Sequence, residues 1–446
     1  MDLTKGKIFK TLFIYSVPLI LTNAVQILFH AADVAVLGIL TDDYAVAAVG
    51  ACGPLISLFV SVFASFATGA NILIARHVGA KNMERSRKAT GTALVIGFLS
   101  GIILMIVALI WARELLVMMN CQSEVLDQAT TYMRVYFIGM PIIMLYNFAG
   151  AILRSVGDSL RPMIYMLVAG VFNIGLNVFF VAVCNMTVEG VAIATLISNL
   201  LSLILALIAM FRNKGYCKVQ LKSLRIFKDE LKEIVKIGVP ACLCGLSYYI
   251  ANLFMASGVN SISPDAMTAN AIAGQYDAVV YNVGMSIAIA CMSMVGQSFG
   301  ANQIDRVKKT VSTSIIYVTV ASLSLGIICV LLSPYLLDIM TDSEVVIAIG
   351  REQLTVVCLT HFITSIMEVL SFSLRALRRP NCTMVVGFIC GFGIRALWAS
   401  VIWKLIGGSV GVLFLAYGIS AGAATIIYGI IYTKTIKKLI IQKAEI

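Results

Sequence analysis

The sequence predicts an all-α polytopic membrane protein, with twelve transmembrane helices in two pseudo-symmetric six-helix lobes. Three observations predict it. The 446 residues are 60% hydrophobic and only 12% charged, with a mean hydropathy of +0.96. Average soluble proteins carry about 25% charged residues, so too little polar surface remains to coat a soluble chain of this size. Apolar runs of roughly 20 residues recur along the whole length, each able to cross a hydrocarbon core of ~30 Å at ~1.5 Å per residue. They do not alternate as barrel strands would, so each span is expected as a helix that satisfies its own backbone. Finally, the second half repeats landmarks of the first.

The helices are expected at 12–39, 45–76, 89–112, 130–154, 161–184 and 188–211, then at 235–260, 267–299, 310–335, 350–375, 382–405 and 409–433. Basic residues then fall on one side. They are Lys5, Lys7 and Lys10; Lys81, Arg85, Arg87 and Lys88; Arg154 and Arg161; the segment from Arg212 to Lys236; Arg306, Lys308 and Lys309; Arg375, Arg378 and Arg379; and Lys434, Lys437, Lys438 and Lys443. The opposite loops carry Asp42, Asp43, Glu189, Asp265, Asp338, Asp342 and Glu344. The positive-inside rule puts both termini in the cytoplasm and the chain in the cytoplasmic (inner) membrane. An odd helix count would break this segregation.

The repeat defines the domains. Gly79-Ala80, Glu84-Arg85 and Lys88 recur as Gly300-Ala301, Asp305-Arg306 and Lys309, and Leu153-Arg154 recurs as Leu374-Arg375, all 221 residues on. Val17-Pro18 recurs as Val239-Pro240, 222 residues on. An N-terminal lobe at 1–211, a basic cytoplasmic linker at 212–234 and a C-terminal lobe at 235–446 follow. Six helices per half give parallel repeats related by an axis along the membrane normal. Pro18 and Pro240 suggest matched kinks. Gly97/Gly101 and Gly387/Gly391 form GxxxG patterns, which indicate close helix packing.

The net charge of +11 is accounted for by these loops, so no nucleic-acid partner is expected. The eleven cysteines show no zinc or disulfide spacing and read as small apolar packers. No cleavable signal peptide is evident. No phosphate-binding loop, zinc motif or nucleophile triad is found. An enzyme is therefore not expected, nor a cofactor, and any work done would draw on an ion gradient. A monomer handling small molecules among membrane lipids is the expectation.

Ionisable and polar residues inside spans are costly and mark pathways. Thr22, Gln26, His30 and Asp33 lie on one stripe of the first helix, at steps of four, four and three. Asp33 falls ~10 Å below the outer surface, Asn173 and Asn177 on helix 5 reach the outer half, and Thr195 on helix 6 lies ~9 Å in. A carboxylate with amide and hydroxyl oxygens can ligate Na+, or the carboxylate can hold a proton. The same Asn and Thr residues could equally bond helix to helix. The first-helix residues Thr22, Gln26 and His30 are candidates for lining a substrate cavity. In the second half Asp277, His361, Glu368 and Arg395 are buried charges. Arg395 lies too deep to snorkel, and matching depth predicts an Asp277–Arg395 pair, with Glu368 as the other candidate partner.

These residues resemble the multidrug and toxic compound extrusion (MATE) family along essentially the whole chain. The resemblance rests on Pro18, "DVAVLG" at Asp33–Gly38, the basic loop Gly79–Lys88, "LRSVGDSLRP" at Leu153–Pro162, Asn173, "GVAIAT" at Gly190–Thr195 and "GQSFGA" at Gly296–Ala301. It implies export of organic, often cationic, compounds in exchange for Na+ or H+, within a two-lobed twelve-helix fold. It also implies a first-lobe cation site at Asp33, Asn173, Asn177 and Thr195. The family's second acid is here Asn177, which leaves one fixed negative charge. "LRALRRP" at Leu374–Pro380 is shorter than its first-half counterpart and lacks its Gly-Asp. A flippase for a lipid-linked precursor shares this broader architecture. Its pyrophosphate cargo calls for a cationic cavity, whereas Arg395 is the one deep arginine.

Overall fold

The apolar runs fold as long helices in the computed structural model, which describes residues 1–41, 43–119 and 121–444, apart from the side chains of His30, Asp43, Leu221, Lys443 and Ala444. Of the residues used above, Asp42 and the side chains of His30, Asp43 and Lys443 lie outside the described residues. No strand occurs among the described residues.

In chain order the helices are α1 (Ile8–Leu40), α2 (Asp43–Gly79), α3 (Met83–Met118), α4 (Ser123–Ile138), α5 (Met140–Ser155), α6 (Leu160–Val178), α7 (Val188–Arg212), α8 (Lys228–Asn260), α9 (Pro264–Gly300), α10 (Ile304–Asp338) and α11 (Glu344–Ala376). The span α12 (Pro380–Ile406) and α13 (Val410–Ala444) complete the series. Among the described residues, eleven helices are long and apolar enough to cross a membrane, and the α4–α5 pair makes a twelfth span if the two are taken together. The sequence reading had this span as one helix at 130–154. It is two, bent by 49°, because Gly139 ends α4 and Pro141 opens α5 without an N–H to carry the hydrogen-bond ladder across.

Several helices run past their apolar cores. α3 starts at Met83, where Asn82 accepts the Arg85 backbone N–H at 3.0 Å, an N-cap that lets a charged first turn precede the apolar run. α8 starts at Lys228 and carries Pro240 inside it, as α1 carries Pro18. The duplicated loops turn alike. Lys81 and Asn302, 221 residues apart, both have φ of 56°. Gly157 and Arg378, again 221 apart, sit at φ of 84° and 65°.

The chain divides into two compact units, Met1–Asp2 with Leu21–Gly238, and Leu3–Ile20 with Val239–Ile446. In the first, Leu104, Met133, Phe137, Met140 and Val188 are buried together, and Ile74, Phe148, Leu153 and Met210 form a second core. Gly101 supplies the close approach read from its GxxxG pattern: a Cβ there would stand 2.4 Å from Pro141 Cα. In the second unit, Leu3, Leu12 and Tyr15 pack with Met294, and Met255, Trp403 and Leu413 pack together. Here Gly391 faces the Tyr248 ring, and a Cβ would come within 2.6 Å of it.

Candidate functional site

Three helices of the first unit bring oxygen and amide groups to one point. α1 supplies Asp33, which is 9% exposed, α6 supplies Asn173 and Asn177 at 4% and 0%, and α7 supplies Thr195. The two asparagines are one helical turn apart, so both amides project from the same face of α6. A π-helical turn, Phe179–Val183, follows Asn177 directly, an irregularity often found beside functional side chains.

Asn177 donates its amide N–H to Asp33 Oδ1 at 2.5 Å. Asn173, oriented to satisfy both of its ends, donates to the same oxygen at 2.8 Å and accepts the Thr195 backbone N–H at 3.3 Å. The carboxylate thus receives two amide donors, which is how a buried charge with no basic partner among the described residues is stabilised. Asn177 Oδ1 and Thr195 Oγ1 are buried oxygens with no hydrogen-bond partner. Unpartnered buried oxygens beside a carboxylate fit a monovalent cation. The amides, however, present nitrogen to Asp33, so a bound Na+ would require them to turn.

Beside this cluster lies a cavity of about 370 Å³, within the range of small-molecule sites. Gln26, Asp33, Asn173 and Thr195 line it, together with Phe29, Tyr132, Tyr136, Tyr146, Asn147, Gly170 and Asn199. Asp33 is its one charged lining residue among the described residues. Thr22 is half-buried on α1 and is not among the lining residues, and the His30 side chain lies outside the described residues. Tyr132, Tyr136, Tyr146, Asn147 and Asn199 are not singled out by the sequence because none carries a charge at neutral pH and none lies on the Asp33 stripe or in the Asn173–Asn177 pair. The i,i+4 spacing of Tyr132 and Tyr136, just before the Gly139–Pro141 break, was the available signal.

The second unit corrects the predicted Asp277–Arg395 pair. Asp277 on α9 meets Nε2 of His361 on α11 in a short contact, and the His361 ring packs 6.1 Å from that of Tyr281. Arg395 donates through Nε to Ser420 Oγ at 3.0 Å and through Nη1 to Asn252 Oδ1 at 3.4 Å. Its guanidinium lies 4.2 Å from the Tyr417 ring centre and 5.3 Å from that of Tyr248. Among the described residues it forms no ion pair with Asp277 or Glu368. Depth along the membrane matched Asp277 to Arg395, but rotation about α9 turns the carboxylate to α11. Two aromatic faces and two neutral oxygens satisfy the arginine instead. Glu368 is buried at 7% exposure, within electrostatic reach of Arg375 and Arg395. Among the described residues no group of three or more His, Cys, Asp or Glu could hold a metal ion.

Comparison with known proteins bears on this arrangement. The MatE family profile matches residues 18–179 and 240–401, one copy in each half. The protein named "Probable multidrug resistance protein YoeA" of Bacillus subtilis (strain 168) is 25% identical over 406 residues, covering 90% of this chain and 88% of that one. "Multidrug export protein MepA" of Staphylococcus aureus (strain MRSA252) is 26% identical over 256 residues, covering 56% and 57%. A solved MOP superfamily transporter from Pyrococcus furiosus Vc1 (DSM3638) superposes with a TM-score of 0.90, at 22% identity over 98% of both chains.

Proposed function

The chain belongs to the MatE family, and from that premise we propose that it is a cation-coupled antiporter of the cytoplasmic membrane. In this reading it exports organic, amphipathic and cationic compounds such as drugs, in exchange for H+ or Na+, with both termini in the cytoplasm. The export function rests on the similarity to the multidrug resistance and export proteins YoeA and MepA.

One observation carries the coupling. Asp33 is the single charged group lining the first-unit cavity among the described residues, held by the amides of Asn173 and Asn177. A lone carboxylate facing a small-molecule cavity can release its cation and then attract a cationic substrate, or the reverse. H+ suits the local geometry better than Na+. Both amides already offer N–H to Oδ1, and a proton can add to Oδ2 without moving either. The flippase alternative loses support from the same cavity, which carries no cationic lining residue among the described residues. Arg395 is engaged by Ser420, Asn252 and two tyrosine rings.

The test is efflux of a lipophilic cation from vesicles under separately imposed pH and Na+ gradients. Wild-type protein is expected to respond to a gradient, and Asp33→Asn to lose that response. If the variant retains gradient-driven efflux, the coupling assignment is wrong.

A further inference from the structure

A second cavity lies in the first unit, away from Asp33, and nothing above uses it. We propose that this cavity, between the first turn of α3 and the linker segment 220–227, binds the phosphate headgroup of an anionic phospholipid. It measures about 440 Å³ and is lined by Met83, Glu84, Arg87, Lys88, Gln220, Lys222, Ser223, Arg225 and Phe227. Four basic side chains thus face one carboxylate, and that carboxylate is taken by Lys88 at 2.6 Å.

The site is built rather than incidental. Gly91 lets the linker backbone lie directly on α3: a Cβ at Gly91 would stand 1.8 Å from Ser223 O. Thr92 Oγ1 donates to Arg225 O at 3.3 Å and accepts the Phe227 backbone N–H at 3.1 Å, which fixes the segment carrying both side chains. The Phe227 ring then holds two cations, Arg225 at 4.8 Å and Lys88 at 5.8 Å. Arg87 uses Nη2 on Lys214 O at 3.3 Å, while its Nε is buried with no partner. A buried donor left unmade is unfavourable, and a phosphate oxygen is the acceptor that a guanidinium matches best. The first turn of α3 adds the positive end of the helix dipole.

The source of the phosphate follows from position. Met83 begins a helix long and apolar enough to cross a membrane, and its apolar run starts at Ala89, about 9 Å further on, which sets the first turn near headgroup level. Large aliphatic side chains flank the basic groups and face outward, Met83 at 39%, Leu224 at 36% and Ile226 at 44% exposure. Exposed Leu and Ile next to Arg225 suit acyl chains below a headgroup, whereas free phosphate has no use for them. Basic pockets at the cytoplasmic ends of membrane helices hold such lipids on electrostatic grounds. The inference is independent of the transport reading and rests only on its placement of this end of α3 on the cytoplasmic side.

The experiment titrates the solubilised full chain with phosphatidylglycerol and counts retained lipids by native mass spectrometry, with phosphatidylcholine and inorganic phosphate as parallel arms. Wild-type protein is expected to retain phosphatidylglycerol over phosphatidylcholine. Arg87→Gln and Arg225→Gln are each expected to weaken retention about fivefold, the factor for roughly one surface charge. Lys222→Gln, on an exposed side chain, should weaken it in the same direction. Arg113→Gln, at the far end of α3 and paired with Asp127 of α4, should leave it unchanged. Equal retention by wild type and the three pocket variants overturns the proposal. So does displacement of the lipid by inorganic phosphate that itself binds as tightly, since the pocket would then read free phosphate.

Discussion

The Asn177 amide nitrogen stands 2.5 Å from Asp33 Oδ1. The resemblance places a second acid at this position. Two carboxylates this close cannot both stay ionised, and one would hold a proton. An amide offering N–H to Asp33 has the hydrogen-bond pattern and neutral charge of that protonated acid. The site therefore resembles a two-acid site fixed in its half-neutralised form. The second half diverges at the same place. Counting from Arg161-Pro162 and from Arg379-Pro380, Asn177 corresponds to Arg395, and Asp33, counted from Pro18 and Pro240, corresponds to the buried Met255.

Restoring the acid is the first prediction. Asn177→Asp is expected to change the cation dependence of efflux, either in its pH optimum or in its response to Na+. Efflux rates across pH with and without Na+ read the effect. Identical profiles for variant and wild type would mean that the residue at 177 does not shape coupling.

Removing the amide without replacing it should cost stability. Asn177→Leu leaves Asp33 one donor short in a buried place, an expected loss of about 1–3 kcal/mol. Thermal unfolding of the purified chain measures it. The double variant Asp33→Asn with Asn177→Leu should recover part of the loss, because the charge that needed the donor is gone. An additive result would count against a direct interaction.

Gly170 shapes the cavity. A Cβ there would lie 1.5 Å from the Phe29 ring, so Gly170→Ala must drive that ring aside, at about 1–3 kcal/mol. Since Phe29 lines the cavity, the range of exported compounds should narrow, and Phe29→Leu in the same chain should restore it. Efflux across a panel of dyes decides the matter, and an unchanged panel in Gly170→Ala refutes it.

Arg378 holds φ of 65° where the first half has Gly157 at 84°. A non-glycine residue in the left-handed region costs roughly 1 kcal/mol, so Arg378→Gly should stabilise slightly and Gly157→Ala should destabilise. Melting temperatures moving in opposite directions, by on the order of 1 °C in so long a chain, are the expected readout. Movement in the same direction would show that the two turns are not equivalent.

Two cysteines test the topology. Cys184 is exposed in the loop after α6, while Cys217 in the linker is 1% exposed, and burial pushes its thiol up to about 11. Thiolate is the reactive form. A membrane-impermeant maleimide on intact cells should label Cys184 and spare Cys217, and Cys184→Ser should remove most of the signal, the remainder falling on the half-buried Cys121 of the α3–α4 connection. Loss of Cys184 labelling in intact cells, with labelling only after lysis, would reverse the orientation.

Much of this was legible in the sequence. Helix-length apolar runs bounded the spans, because a membrane helix must be long, apolar and self-satisfied. The stripe ending at Asp33 and the Asn173–Asn177 pair pointed at each other because 3.6-residue periodicity and depth suffice to align polar groups across neighbouring helices. Rotation about the helix axis was not legible. Depth matched Asp277 to Arg395, yet α9 turns the carboxylate to His361. Nor was the bend at Gly139–Pro141 assigned, since the flanking residues are apolar enough for one continuous helix. The tyrosines around Asp33 carry no charge pattern to mark them.

That the cavity holds one carboxylate has an electrical consequence. If Asp33 hosts a proton on one leg of the proposed exchange and a singly charged substrate on the other, equal charge crosses in each direction. Membrane voltage then does no net work on the cycle, and the concentration gradients alone drive it. Collapsing the potential while preserving the pH difference should leave export of such a substrate at full rate, whereas a doubly charged one, whose exchange carries one net positive charge outward against an inside-negative potential, should speed up.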